Sequence, residues 1–172
     1  MPFLLLFLLI PSFVSAADPY RFEVKTIAED FARPMGMDLG PDGSIYLIEL
    51  QGKVNRIHPT TGKRTILAEI EVFGEQENGL LGIALDPNFK QNNHLFLLYS
   101  PANFIGQRIS RFTIKKEALI DEKKVIEWNT QRRECCHHGG MLKFGPNGCL
   151  FASAGDNTHP FGDSASYAPI DR

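Results

Sequence analysis

The sequence predicts an all-β chain that forms an arc of roughly three β-propeller blades. Three observations carry the prediction. First, from Tyr20 onward the apolar residues come in short bursts, such as Ser44-Ile45-Tyr46-Leu47-Ile48, His94-Leu95-Phe96-Leu97-Leu98-Tyr99 and Cys149-Leu150-Phe151-Ala152-Ser153. Bursts of that length, rich in β-branched and aromatic residues and bounded by Gly, Pro, Asn or Asp, read as strands. Second, each burst follows the same kind of turn, at residues 36–43, 82–89 and 140–148. Third, the turn prolines fall at 41, 87 and 146, intervals of 46 and 59 residues. A four-stranded propeller blade takes about 40–50.

Taken in order, the chain opens on an apolar run, Pro2 to Val14, followed by Ser15, Ala16, Ala17 and the polar Asp18. An apolar core of about 7–15 residues ending in small residues reads as a secretory signal peptide. The run is shorter than the roughly 20 residues that span a bilayer. No Lys or Arg precedes it, so only the amino terminus supplies positive charge. Residues 1–17 are therefore assigned to a leader, and residues 18–172 to the partial propeller. The expected location is secreted or periplasmic, without stable membrane insertion once the leader is cleaved.

The first repeat turns at Gly40-Pro41-Asp42-Gly43, the second at Asp86-Pro87-Asn88-Phe89 and the third at Gly145-Pro146-Asn147-Gly148. Proline presets φ for the first central turn position, and Asp or Asn with Gly accepts the positive-φ positions. The apolar residue two before each proline (Leu39, Leu85, Phe144) is expected to face a shared core. Between the repeats, residues 53–57 and 108–114 read as outer strands, with a turn at Pro59-Thr60-Thr61-Gly62. The second interval is long and holds the charged stretch 115–124, which reads as an inserted loop. A propeller closes with typically 4–8 blades, so a chain with about three is expected to be a fragment or a truncated product. The competing reading of the pattern is a β-sandwich with three similar hairpins.

The composition is that of an ordinary globular protein, 43% hydrophobic with a formal net charge of −2. The near-neutral balance leaves no basic footprint for nucleic acid and no polybasic patch for an anionic membrane.

Three segments resemble the glucose/sorbosone dehydrogenase family, six-bladed propellers that bind pyrroloquinoline quinone. They are Arg33-Pro34-Met35-Gly36-Met37 with Gly40-Pro41-Asp42-Gly43; Glu77-Asn78-Gly79-Leu80-Leu81-Gly82 with Asp86-Pro87-Asn88-Phe89; and His137-His138-Gly139-Gly140 with Gly145-Pro146-Asn147-Gly148 and Gly155-Asp156. The resemblance runs from about Ile27 to the last residue. It implies an exported oxidoreductase that oxidises the anomeric carbon of a sugar, with pyrroloquinoline quinone and calcium as cofactors and an external electron acceptor as partner.

The family's general base matches His137. Histidine suits the task, because an unperturbed pKa of about 6.5 lets it accept a proton near neutral pH. Glycines 139 and 140 let backbone approach a flat cofactor. His138 is expected on the opposite face of the strand from His137 and stands second to it as a candidate in the vicinity of substrate and cofactor. Glu77 matches a position near sugar and cofactor, and Asp156 is a supporting residue or a turn aspartate.

Some positions depart from the family. Cys136 stands where one member has aspartate, and Met141 where arginine often follows the glycines. The family's calcium loop and the basic residues that clamp the quinone's carboxylates belong to later blades, so this chain alone is expected to be inactive and to hold the cofactor weakly. An exported chain with Cys135, Cys136 and Cys149 can form one disulfide. It is either a vicinal ring of Cys135 and Cys136 or, the pairing favoured here, a bridge from one of them to Cys149. Cys135, Cys136, His137 and His138 do not form a metal site, because four successive strand residues cannot converge on one ion. The alternative function is a non-catalytic propeller that binds protein or carbohydrate, since one fold hosts many functions.

Overall fold

The computed structural model describes residues 23–133 and 136–157. The proposed leader, Cys135 and the segment 158–172 lie outside the described residues. The order of elements is β1 (Pro34–Leu39), β2 (Ile45–Glu49), β3 (Lys53–Ile57), β4 (Arg64–Glu69), β5 (Leu80–Leu85), α1 (Phe89–Asn92), β6 (His94–Tyr99), β7 (Gly106–Lys115), β8 (Ala118–Asn129), β9 (Gly139–Phe144) and β10 (Leu150–Ala154). They form two four-stranded antiparallel meanders, β1-β2-β3-β4 and β5-β6-β7-β8, and the hairpin β9-β10. Each meander is one blade, and the hairpin supplies the first two strands of a third.

The turns that set the repeat behave as the sequence predicts in two blades. Gly43 and Gly148 take positive φ at 79° and 77°, and the backbone closes through Gly43 N–H to Gly40 O and Gly148 N–H to Gly145 O. The second repeat has Phe89 where the others have glycine. There the chain runs into the single turn α1, which ends at Asn93 with φ 53°. Phe89 is buried and packs edge-on against Tyr46, with ring centroids 5.3 Å apart.

Two expectations need correction. The stretch 115–124 is not an inserted loop; most of it belongs to β8, which pairs with β7 from Ala118 opposite Lys115 to Asn129 opposite Gly106. Its charges sit on an exposed outer strand, where they need no loop to stay solvated. Leu39 does not face the core. It is exposed, while Leu85 is buried and Phe144 is half-buried against a core cluster. Leu85 and Phe144 each pack toward the preceding blade, whereas among the described residues β1 is the first strand and no blade precedes it.

The blades stack through apolar seams. Tyr46, Ile48, Val54 and Leu67 from the first sheet meet Leu80, Ile83, Leu95, Leu97 and Tyr99 from the second. On its other face the second sheet offers Leu81, Ala84 and Leu98 to Leu142, flanked by Phe96, Phe144 and Leu150. That is why all six residues of β5 are buried: a strand covered on both faces reads as a continuous apolar run. Each buried aliphatic side chain contributes about 1.5–3 kcal/mol through removal from water. The seam between β5 and β9 is tight enough to require glycine. A Cβ on Gly140 would lie 2.5 Å from that of Leu81.

Candidate functional site

The first strands of the three repeats, β1, β5 and β9, are all entered from the same end. Just before each entry the backbone takes a left-handed conformation at a non-glycine residue: Arg33 (φ 57°), Gln76 (φ 58°) and His137 (φ 64°), with Cys136 at φ 99°. Such conformations cost energy for residues with a Cβ and cluster where side chains must be aimed. The three approach segments thus present Arg33, Gln76-Glu77 and His137-His138 at one end of the arc.

His137 is half exposed, and its Nδ1 lies 2.9 Å from Asp156 Oδ1. A carboxylate oxygen accepts, so the contact is made by Nδ1–H, and the neutral ring in that tautomer has its lone pair on Nε2. Asp156 reaches this place because the chain leaving β10 runs back along the approach to β9. Asn157 N–H donates to His137 O at 3.1 Å, and Gly155 N–H to His138 O at 3.2 Å. The approach is close: a Cβ on Gly155 would lie 1.6 Å from His137 O.

His138 points the other way and is 2% exposed. Its backbone carbonyl accepts from Gln107 Nε2 at 3.1 Å. Burial pushes its pKa below the ordinary histidine value, against the opposing influence of the Glu77 charge, so the ring is neutral at pH 7. Its tautomer follows from its neighbours. Asn157 Oδ1 accepts from the Gln131 backbone N–H at 2.6 Å, which turns the Asn157 amide nitrogen toward His138 Nδ1 at 3.5 Å. Nδ1 is then the acceptor and Nε2 carries the proton. Asn78 faces Nε2 at 3.2 Å, and the Asn78 Oδ1 atom has no other partner although buried. Turning that oxygen toward Nε2 satisfies both groups.

Glu77 is exposed and lines a cavity of about 250 Å³ together with Arg33, Met35, Leu50, Leu81 and His138. A second cavity of about 550 Å³ runs between β1, β5 and β9, lined by Met35, Met37, Gly82, Gly140 and Met141. Glycines 139 and 140 were expected to admit a cofactor. Both are also demanded by neighbouring backbone, Gly139 by Ala154 and Gly155, and Gly140 by Leu81.

The favoured disulfide does not form. Cys136 is disulfide-bonded, whereas Cys149 is free and exposed. The register explains why. β10 pairs with β9 so that Leu150 faces Phe144 and Ala154 faces Gly139, which puts Cys149 at the far end of the hairpin from Cys136. At about 3.3 Å per residue the six residues of β9 alone separate them by roughly 20 Å, far beyond the ~7 Å that a bridge tolerates. Cys135 lies outside the described residues. Among the described residues no group of three or more His, Cys, Asp or Glu side chains could hold a metal ion, so the calcium expected from the family has no ligand set there.

Sequence reasoning missed Asn78, Gln107 and Asn157 as the residues that hold His138, and Arg33 as a cation in the site. Arg33 and Asn78 stand inside the quoted motifs. Their roles depend on contacts with residues far along the chain, which no local pattern encodes.

The family model for glucose/sorbosone dehydrogenase matches residues 31–167. Among curated relatives, the chain is 29% identical over 160 residues to quinoprotein glucose dehydrogenase B of Acinetobacter calcoaceticus, covering 86% of this chain and 34% of that protein. It is 27% identical over 157 residues to human Hedgehog-interacting protein, covering 78% and 22%. Among solved structures, the PQQ-bound aldose sugar dehydrogenase of Streptomyces coelicolor superposes with a TM-score of 0.71 at 27% identity, over 78% of this chain and 41% of that one. The chain thus spans about a third to two fifths of the dehydrogenases it matches. It belongs to the glucose/sorbosone dehydrogenase family.

Proposed function

We propose, from membership of the glucose/sorbosone dehydrogenase family, that this chain carries the proton-abstracting half of a sugar dehydrogenase site that uses pyrroloquinoline quinone. The observation that carries the reading is the His137–Asp156 pair at 2.9 Å, at the end of the arc where Glu77 and Arg33 also stand. His137 Nε2 takes the proton of the hydroxyl on the anomeric carbon. Asp156 holds the ring by Nδ1–H and stabilises the imidazolium that forms. The partial exposure of both side chains lets the proton pass on to water. Glu77 accepts from sugar hydroxyls. The residues fit the quinone in part: a backbone wall at Gly139, apolar surface from Met35 and Leu81, and one cation. When bound, pyrroloquinoline quinone supplies the two-electron acceptor for the anomeric C–H.

An aldose is the substrate class, an external carrier is the electron acceptor, and the leader at residues 1–17 directs export to the periplasm or beyond. Calcium and the further cofactor contacts are assigned to segments homologous to the later blades of the relatives. Among the described residues no helix is long and apolar enough to cross a membrane. A second reading is a non-catalytic propeller that binds a protein partner. The likeness to Hedgehog-interacting protein supports it, as do Cys136 and Met141 in place of the aspartate and arginine seen in the family.

Turnover of aldoses by the intact protein, with segments homologous to the relatives' later blades included and with quinone, calcium and an artificial acceptor added, tests the choice. His137→Gln is expected to lower kcat by about 100-fold or more, the usual contribution of a general base, with an unchanged unfolding midpoint. Equal turnover in that variant would sink the base assignment, and an inert intact protein would favour the binding module.

A further inference from the structure

We infer that Arg33 is an anion-recognition residue of this site, which selects a carboxylate-bearing ligand and so directs the site toward acidic sugars. The inference deepens the dehydrogenase reading and rests on it only for the class of ligand.

Arg33 is the arginine that lines the cavity beside Glu77, and it differs from four other described arginines, although Arg111 and Arg133 also lack an ion pair among the described residues. Arg56 is tied to Glu117, Arg64 to Glu49, and Arg108 to Glu127. Arg132 is caged between the Phe73 ring, 4.2 Å away, and the carbonyl oxygens of Pro101 and Phe104. The Arg33 side chain makes no ion pair or ring contact among the described residues. It is exposed and lines the cavity of about 250 Å³. A charge already neutralised has little to offer a ligand, and Arg33 is not neutralised.

Its backbone is held at a cost. At φ 57° a residue with a Cβ is disfavoured, and glycine or asparagine would be cheaper. Two hydrogen bonds keep it there. Leu50 N–H donates to Arg33 O at 3.0 Å, and Ala32 N–H donates to Glu49 Oε2 at 2.6 Å. Glu49 is itself buried and accepts from Asn55 Nδ2 and Arg64 at 2.9 and 3.1 Å. A buried, fully engaged carboxylate therefore fixes the approach segment and with it the point from which Arg33 projects. A long cation in a left-handed position, anchored from below and unpaired above, fits aiming at a ligand better than packing.

The rest of the cavity narrows the ligand. Met35, Leu50 and Leu81 supply apolar wall, and Glu77 supplies a second, negative pole. Arginine binds a carboxylate through two parallel N–H donors, while Glu77 repels a carboxylate and accepts from hydroxyls. A molecule with a carboxylate at one end and hydroxyls at the other satisfies both. An acidic sugar has that form. The carboxylates of the quinone offer the same chemistry to Arg33, and the experiment separates the two sources.

Equilibrium dialysis of the full 172-residue chain with glucuronate, glucose, pyrroloquinoline quinone and the quinone's trimethyl ester, in wild type, Arg33→Gln and Arg33→Lys, tests it. The expected result is a preference of about tenfold or more for glucuronate over glucose, lost in Arg33→Gln and partly kept in Arg33→Lys. A preference for free quinone over its ester, lost in the same variant, would support the anion site and move the carboxylate from sugar to cofactor. Arg33→Gly, which relaxes the left-handed backbone, controls for folding: it should lose the preference without lowering the unfolding midpoint. Equal binding by wild type and Arg33→Gln, or no binding of either carboxylate by the wild type, overturns the inference. The base assignment is judged separately by turnover of His137→Gln, so either idea can fail alone.

Discussion

The seam between the first two blades and the seam beneath His137 solve the same packing problem with opposite materials. The first is mainly apolar: Ile48, Leu80, Leu95 and Leu97 are 0% exposed and pack in one cluster. The second is polar, with His138, Asn78, Gln107 and Asn157 each 2% exposed or less. Apolar packing tolerates small shifts and yields stability in proportion to area. A buried hydrogen-bonded cluster tolerates little, because any broken contact leaves a polar group without water. The propeller thus uses its apolar seam to hold the blades together and its polar seam to hold the His137 segment in one geometry.

The largest effect expected from breaking this contrast lies in the apolar seam. Leu97→Ala should cost about 2–5 kcal/mol, read as a lower midpoint in chemical denaturation. A loss under 1 kcal/mol would mean that the blades do not depend on that seam.

A smaller effect separates the seams by pH. His138 has a folded pKa below its unfolded value of about 6.5. Above that value both states are neutral and burial costs nothing. As pH falls below it, the unfolded chain binds the proton first, so stability is lost from about pH 6.5 down through the lowered folded value. The wild-type midpoint should drop over that window, and His138→Gln should flatten the slope while starting less stable. Parallel curves for the two proteins would remove His138 as the source.

The smallest effect is expected at the far end of the β9–β10 hairpin. Cys149→Ser should change stability by less than about 0.5 kcal/mol, and Cys149 should react with a thiol reagent without prior reduction. If alkylation required reduction, the separation from Cys136 derived from strand register would be wrong.

Much of the fold was legible because its signals are local. The strands at 45–49, 94–99 and 150–154 match the predicted bursts to within a residue or so, and the glycine turns close as expected. The failures share one cause. The stretch 115–124 was read by charge, yet it is mostly strand because β7 offers it a partner. Leu39 holds the same repeat position as Leu85 and Phe144, yet those two pack against the preceding blade, and among the described residues no blade precedes β1 to cover Leu39. Cys149 was read as a neighbour of Cys136 because their strands adjoin, yet antiparallel pairing places it at the opposite end.

The site divides along the same line. His137, Glu77 and Asp156 were chosen from motifs, and the structure adds the 2.9 Å contact of His137 with Asp156. Asn157 and Gln107, 19 and 31 residues from His138, could not be read as its partners from any window of sequence. By itself the sequence determined the blade repeat, its turns and the residue types able to move a proton, because φ preference and side-chain alternation act within a few residues. Only the tertiary structure decided which cysteine can bridge, which histidine is buried and which arginine faces the cavity beside Glu77, because each depends on strand register and on how one blade lies against the next.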